Sequence, residues 1–337
     1  MDVVRHALKL CVTVIGLAAL APAFIQGFTP AWAQSPASDY PTRPIRMVVP
    51  FAGGGTTDVL ARLIGHQLGL ALGQQVVIEN RPGVNGNVGT DAAAKSTPDG
   101  YTIVLVADGT VAINPGLYPK LPFDPQRDLM PISRVALVPL ILVAHPGLKA
   151  DSIQALVALS KDPSANLFFS SAGLGSTGHL AGELLKNRTG LQMTHVNYKG
   201  GGQAVNDVVS GQIPLLVTAL ATAGAFIEAG QLKALAVTSA QRLSGLPTVP
   251  TISESGVKDF DVSSWYGIMA PAGTPTVIID RLHGELAKVL HDPDLRAKMQ
   301  ALGAEPIGDS PDAFAKILAA DLKSWHRVIQ DAKISFQ

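Results

Sequence analysis

Two short segments of the chain combine residue types that could hold an anion without any basic side chain. The first reads Phe51-Ala52-Gly53-Gly54-Gly55-Thr56-Thr57-Asp58, the second Ser170-Ser171-Ala172-Gly173-Leu174-Gly175-Ser176-Thr177. Each follows a β-like apolar run and precedes a helical pattern. Glycine lets backbone N–H groups approach a ligand, Ser and Thr add hydroxyl donors, and the helix start adds the positive end of its dipole. Thr57 and Asp58 also suit the cap and first turn of the helix that follows them. One such turn can be no more than a tight connection. Two of them, each with hydroxyls beside the glycines, point to a clamped ligand with two anionic groups, or with one anion and a polar end. A hydrogen bond to a charged group contributes about 1.5–3 kcal/mol, and micromolar binding requires roughly 8 kcal/mol. Two or three such bonds at each end therefore suffice.

Competing chemistries fail on spacing. Residues 173–178 read G-x-G-x-x-G, but a dinucleotide site also needs an acid about 20 residues further on. That stretch is His195-Val196-Asn197-Tyr198-Lys199, and the next acid is Asp207. A nucleophile elbow requires glycine two residues before and after its serine. Ser176 has Leu174 in that place and Ser171 has Phe169. His179, close to Ser176 in sequence, reads as a packing or capping residue. The histidines show no HExxH or other metal-ligand spacing. No catalytic residue, metal or cofactor is expected, and the protein is not expected to be an enzyme.

The elements around these segments alternate. Ile45 to Phe51 is a strand-like run, and Val59, Leu60, Leu63, Ile64 and Leu68 then recur on one helical face. Val76 to Ile78, a helix around Ala92 to Lys95, and the run Tyr101 to Ala107 continue the pattern, which predicts a parallel sheet with helices on its faces. Ile132 to His145 is a long strand-like run broken at Pro139. A second α/β pattern starts at Asp151 and includes a helix start at Tyr198-Lys199-Gly200-Gly201. After Trp265 the chain is mostly amphipathic helix, too poor in strands to stand alone, so it is expected to pack back on the first lobe. The expected architecture is therefore α/β and two-lobed, each lobe a mainly parallel sheet flanked by helices, with the ligand cleft between them. Lobe one is assigned to residues 40–137 plus 262–337 and lobe two to 138–261. Trp265 and Tyr266, near the second crossover, could line the cleft, lock the hinge or pack in the core.

Composition sets the outer bounds. The chain has 337 residues, enough for about two domains, and 26 basic residues balance 26 acidic ones. No basic stripe suited to nucleic acid or an anionic membrane is visible. At the N-terminus Arg5, His6 and Lys9 precede an apolar run from Leu10 to Leu20, then Pro22, then Ala31-Trp32-Ala33. This is the pattern of a signal peptide, residues 1–33, cleaved after Ala33. The lone cysteine, Cys11, falls inside it, so the mature chain is expected to need no disulfide and no thiolate. A periplasmic monomer is expected.

With these segments in place, the chain resembles the tripartite tricarboxylate transporter substrate-binding family, the Bug-type extracytoplasmic solute receptors. The matching motifs span nearly the whole mature chain. They include Val49-Pro50-Phe51-Ala52-Gly53-Gly54-Gly55, Glu79-Asn80-Arg81-Pro82-Gly83, Pro98-Asp99-Gly100-Tyr101, His179-Leu180-Ala181-Gly182-Glu183-Leu184, Tyr198-Lys199-Gly200-Gly201 and Ala270-Pro271-Ala272-Gly273-Thr274-Pro275. The resemblance implies a periplasmic-binding-protein fold of type II kind that closes on a small carboxylate and hands it to membrane transporter subunits. Carried over, the ligand contacts are Phe51, Gly53, Gly54, Gly55, Thr56, Thr57 and Asp58 from the first loop. Asp108 and Thr110 form a second, and Ser170, Ser171, Gly175, Ser176 and Thr177 a third. Tyr198 and Gly201 supply a further wall, and Thr218 stands at a nearby strand end. Two departures bear on the ligand. Pro214 replaces an Asp common in relatives, and Thr218-Ala219-Leu220 replaces a Phe-Asp-Asn-like group. Without an acid to pair with an ammonium, a di- or tricarboxylate or an aromatic acid is expected in preference to an amino acid. A sensory receptor signalling to a membrane kinase shares this architecture and stays open, and a secreted hydrolase is the remaining alternative.

Overall fold

The computed structural model describes residues 39–331. The expected signal peptide lies outside the described residues. Strand order is β2-β1-β3-β9-β4-β7-β5-β6, with β8 (Lys233–Val237) and the short β10 (Glu305–Pro306) also pairing to β4. The first block joins β1 (Ile45–Val49), β2 (Val76–Asn80) and β3 (Thr102–Ala107), all parallel. Strand β3, Thr-Ile-Val-Leu-Val-Ala, is buried along its whole length. Helices on both faces demand such an unbroken apolar run. The other block joins β5 (Phe168–Ser170), β6 (Thr194–Val196) and β7 (Leu215–Ala219), again parallel.

Between the blocks lie two long strands, β4 (Leu129–Ala144) and β9 (Ser263–Pro271). They run antiparallel to each other and to their neighbours β3 and β7. Each lobe thus keeps the expected parallel block, and the connecting strands make the sheet mixed. The reason is topological: the chain leaves the first block on β4 and returns on β9, so the two connecting strands must run in opposite directions. Strand β4 is also continuous through Pro139, where the sequence pattern predicts a break. Pro139 is the last β4 residue paired with β9, opposite Ser263, and from Leu140 onward β4 pairs with β7 and, from Ile141, with β8 (Lys233–Val237). A residue without an N–H is tolerated where the strand exchanges one set of partners for another.

The helical tail packs against the first block. Trp265 on β9 donates its indole N–H to Asp321 at 2.6 Å and meets the Phe314 ring edge-on at 5.3 Å. Both partners lie on the last described helix, Pro311–Asp331. Trp265 is thus a core residue of lobe one, while its neighbour Tyr266 faces the other way, as strand alternation requires. Among the described residues no helix is long and apolar enough to cross a membrane.

Candidate functional site

Helix α1 (Thr56–Leu72) begins two residues earlier than the pattern predicts. Its N-cap is Gly55, with no side-chain cap, and Asp58 sits in the first turn. Asp58 points back into its own loop. Its carboxylate accepts from Gly54 N–H at 3.0 Å, from Asn80 Nδ2 at 3.0 Å and from Arg62 Nε at 3.0 Å. Burial pushes this carboxyl up, but the hydrogen bonds from Arg62, Gly54 and Asn80 outweigh it and hold the pKa below the ordinary range. Asp58 therefore shapes the glycine turn and leaves the N–H groups at the start of α1 without a side-chain acceptor.

The lobe-two turn is assembled differently. Ser176 is the N-cap of the helix Thr177–Thr189, accepting from His179 N–H at 3.2 Å. Its hydroxyl donates to Ser171 Oγ at 3.1 Å, and Ser171 lies 2.8 Å from His195 Nε2 and 3.0 Å from Gly173 O. Gly175 N–H donates to His179 Nδ1 at 3.1 Å, which places that ring's proton on Nε2. The rings of His179 and His195 lie 4.2 Å apart, tilted by 38°. Burial, helped at His195 by its neighbouring histidine, lowers their pKa values to about 4 and about 3. Both rings are neutral near pH 7. The structure thus brings a serine and a histidine together, but the pair is Ser171 with His195, not Ser176 with His179. Ser171 is fully buried and lies outside the cavity wall.

Between the two turns is a small cavity, with about 50 Å³ open to the centre of a water-sized sphere. Phe51, Gly55, Thr56, Thr57 and Asp108 line it from lobe one, and Ser176, Thr177, Gly201 and Thr218 from lobe two. The helix starting at Gly201 has Gly200 as N-cap, and the helix starting at Leu220 has Ala219; neither has a side-chain cap. Four helix N-termini from two lobes therefore converge on one small space, three of them without a side-chain cap. No lysine or arginine lines it.

Three of the contacts between the lobes border this space. At the first, the lobe-one glycine turn presses against a third glycine-rich turn, Lys199 to Gly202, with Ala52 N–H donating to Lys199 O at 3.3 Å. A Cβ on Gly202 would lie 2.4 Å from Gly53 O, so no other residue fits there without moving a lobe. At the second, Thr56 Oγ1 lies 2.9 Å from Thr222 Oγ1. At the third, Asp108 accepts from Gly109 N–H at 2.9 Å and from Thr177 Oγ1 at 2.8 and 2.9 Å, and Ser264 Oγ on β9 donates to it at 2.5 Å. Complete burial raises the Asp108 pKa to about 6, against the opposing pull of those hydrogen bonds. Tyr266 lines the cavity beside it, and burial followed by the Asp108 charge pushes its phenol well above the ordinary value.

Several expected contacts do not line the cavity. Gly53 and Gly54 form the outer part of the first turn, and Asp58 is turned into it. Thr110 belongs to a buried π-helical turn, Gly109–Ile113, and donates to Asn85 O at 2.9 Å. Ser170 donates to Leu215 O at 3.1 Å across the sheet, and Ser171 and Gly175 are used inside their own loop. Tyr198 donates to Asp207 at 2.5 Å and packs on the lobe-two core. These eight residues support the walls. Conversely, Asn85, Leu140, Val217 and Ser264 line the cavity without having been singled out, and Ala107, Gly109, Ala172, Gly178 and Ala219 complete the wall. Asn85 follows the Glu79–Gly83 motif. Its left-handed φ of 47° was not legible there.

Two α/β lobes connected by two exchanged strands, with an anion-type cavity where they meet, define the protein as a solute receptor of the periplasmic-binding-protein kind. The chain belongs to the tripartite tricarboxylate transporter receptor family, whose model matches residues 60–334. It is 39% identical to Protein BugT of Bordetella pertussis over 296 residues, covering 88% of this chain and 91% of that one. Among solved structures it resembles the periplasmic binding protein BugD, with a TM-score of 0.84 and 35% identity over 88% of this chain and 100% of that one. A protein of R. palustris solved with adipate gives a TM-score of 0.85 and 38% identity, over 88% and 99% of the two chains.

Proposed function

We propose that the protein is a periplasmic receptor that captures a small organic carboxylate by closure of its two lobes and delivers it to membrane subunits of a tripartite tricarboxylate-type transporter. The convergence of four helix N-termini on a cavity without lysine or arginine carries this reading. Helix ends attract negative charge, and their free N–H groups present ready donors. The adipate-bound relative fits the same ligand class. Hinge motion is assigned to β4 near Pro139 and β9 near Ser263, close to the boundaries 137/138 and 261/262. The ligand is a di- or tricarboxylate or an aromatic acid, and the working form is a monomer released from its signal peptide after Ala33.

A thermal-shift screen of the mature protein against a carboxylate library tests this, since a ligand that binds only the folded state must raise the melting temperature. At least one carboxylate should stabilise the wild type. Thr57→Phe, which fills the cavity at the second residue of α1, should abolish that shift while the protein stays folded. A library without a single hit sinks the receptor reading.

A further inference from the structure

Among the described residues lining the cavity, one is a carboxylate and none is a lysine, arginine or histidine. That carboxylate, Asp108, follows directly on β3 and is 1% exposed. Its donors come from three parts of the fold: Gly109 N–H on its own loop, Thr177 on lobe two and Ser264 on β9. The shelter therefore depends on closure, because parting the lobes takes the Thr177 helix away and admits water.

The two carboxyl oxygens differ. Oδ1 accepts from Gly109 N–H at 2.9 Å, from Thr177 Oγ1 at 2.8 Å and from Ser264 Oγ at 2.5 Å. Oδ2 lies 2.9 Å from Thr177 Oγ1 and has no other hydrogen-bond partner among the described residues. A hydroxyl accepts as well as donates, so Oδ2 has room for a proton directed at Thr177.

The charges around Asp108 add to the cost of its own. Asp321 on the last described helix pushes the Asp108 carboxyl up, in the same sense as burial. Tyr266 on β9 keeps its phenol proton, and His179 in the first turn of the Thr177 helix is neutral near pH 7. Asp58 on α1 is paired with Arg62. The segment Gly109–Leu117 and the first turns of the helices at Gly201 and Leu220 hold no titratable side chain. Hydrogen bonds favour the ionised form of Asp108, but burial prevails, and the pKa stands at about 6 before any anion enters.

We propose that the protein takes up its carboxylate together with one proton, which Asp108 holds at the junction of the two lobes. This rests on the carboxylate-receptor reading above and adds a second species to what the cleft captures. Two uncompensated negative charges in one buried space repel, and a proton on Asp108 removes one of them. In the open form the carboxyl meets water and ionises near its ordinary value of about 4. Closure raises that value, and the anion raises it further. Binding is therefore favoured at low pH and weakens as pH rises towards the bound-state value.

Isothermal titration of the mature protein with succinate, glutarate and benzoate, repeated in buffers of different ionisation enthalpy, counts the protons directly. At about pH 6 the wild type should take up at least about half a proton more per bound acid than Asp108→Asn. Between about pH 5 and pH 7 its affinity should fall about tenfold relative to that variant, whose amide mimics the protonated carboxyl and does not titrate. Uptake that persists in Asp108→Asn overturns the proposal, and so does a wild type that binds without uptake. Should the variant fail to fold or bind, infrared difference spectra of the wild type decide. A protonated aspartic acid band, identified by isotope labelling of aspartate, must appear when the acid is added at about pH 6, and its absence overturns the proposal. If none of the three acids binds, the same titrations use the acid that the wider library yields. A library acid that binds without proton uptake removes the proposal and leaves the receptor reading, whereas a library without a hit removes both.

Discussion

The two glycine-rich turns look alike in sequence and are built on opposite principles. The lobe-one turn is organised by charge: Asp58, Arg62 and Asn80 gather its backbone from behind, and its helix start has no side-chain cap. The lobe-two turn is organised by neutral groups, Ser171, Ser176, His179 and His195, and its helix start is capped by Ser176. The first therefore offers uncapped backbone donors. The second has used part of its donor set on itself and offers the Thr177 hydroxyl, which reaches across to Asp108. Similar composition does not imply similar roles.

The comparison is broken most severely where the two lobes touch through glycine. Replacing Gly202 by Leu puts a side chain into Gly53 O and holds the cleft open. Titration with whichever carboxylate stabilises the wild type should show a loss of at least roughly a thousandfold, about 4 kcal/mol. Thermal stability should change far less, because the contact lies between the lobes and outside the two cores.

Asp108 gives the next largest effect, and its sign is opposite to that of an ordinary paired carboxylate. Its pKa is raised to about 6 by burial. The stabilisation from keeping it protonated is therefore present below its unfolded value near 4 and is lost as pH rises through about 6. Asp108→Asn removes this titration. Across that window the wild type should lose about 3 kcal/mol relative to the variant, measured as the difference between their urea-unfolding free energies. Parallel pH curves would show that Asp108 is hydrated in solution and that the lobes do not close around it.

Asp58→Ala should destabilise by about 2 kcal/mol, since it removes hydrogen bonds to a charged group that are half-sheltered from solvent. Here the pKa is lowered, so the stabilising contribution is present above the unfolded value and disappears as pH falls through the folded one. The difference between wild type and variant should vanish in acid. The mildest change is Ser176→Ala, which removes an N-cap and should cost about 1 kcal/mol in chemical denaturation. If Ser176→Ala proves more damaging than Asp58→Ala, the contrast between a charge-built and a neutral turn is wrong.

Much of this molecule is legible from residue order alone, and the reasons are local. Glycine beside Ser or Thr at a strand-to-helix junction marks a place for backbone donors whatever the surrounding fold, so Gly55, Thr56, Thr57, Ser176 and Thr177 could be named as cavity residues. The apolar runs around β1, β3 and β7 announce buried strands because helices must cover both their faces. Other positions depended on what the chain brings together from afar. Asp58 and Ser171 have the right chemistry, but their nearest partners, Asn80 and His195, turn them away from the cavity. Asn85 and Ser264 carry no local signal, because one depends on a left-handed backbone and the other on its position along an exchanged strand. Sequence by itself determined the donor chemistry, since free N–H groups and hydroxyls follow from residue type and helix polarity. Only the tertiary structure decided which of them face the cavity, because that depends on how two lobes, joined by β4 and β9, press the turn at Gly53 against the one at Gly202.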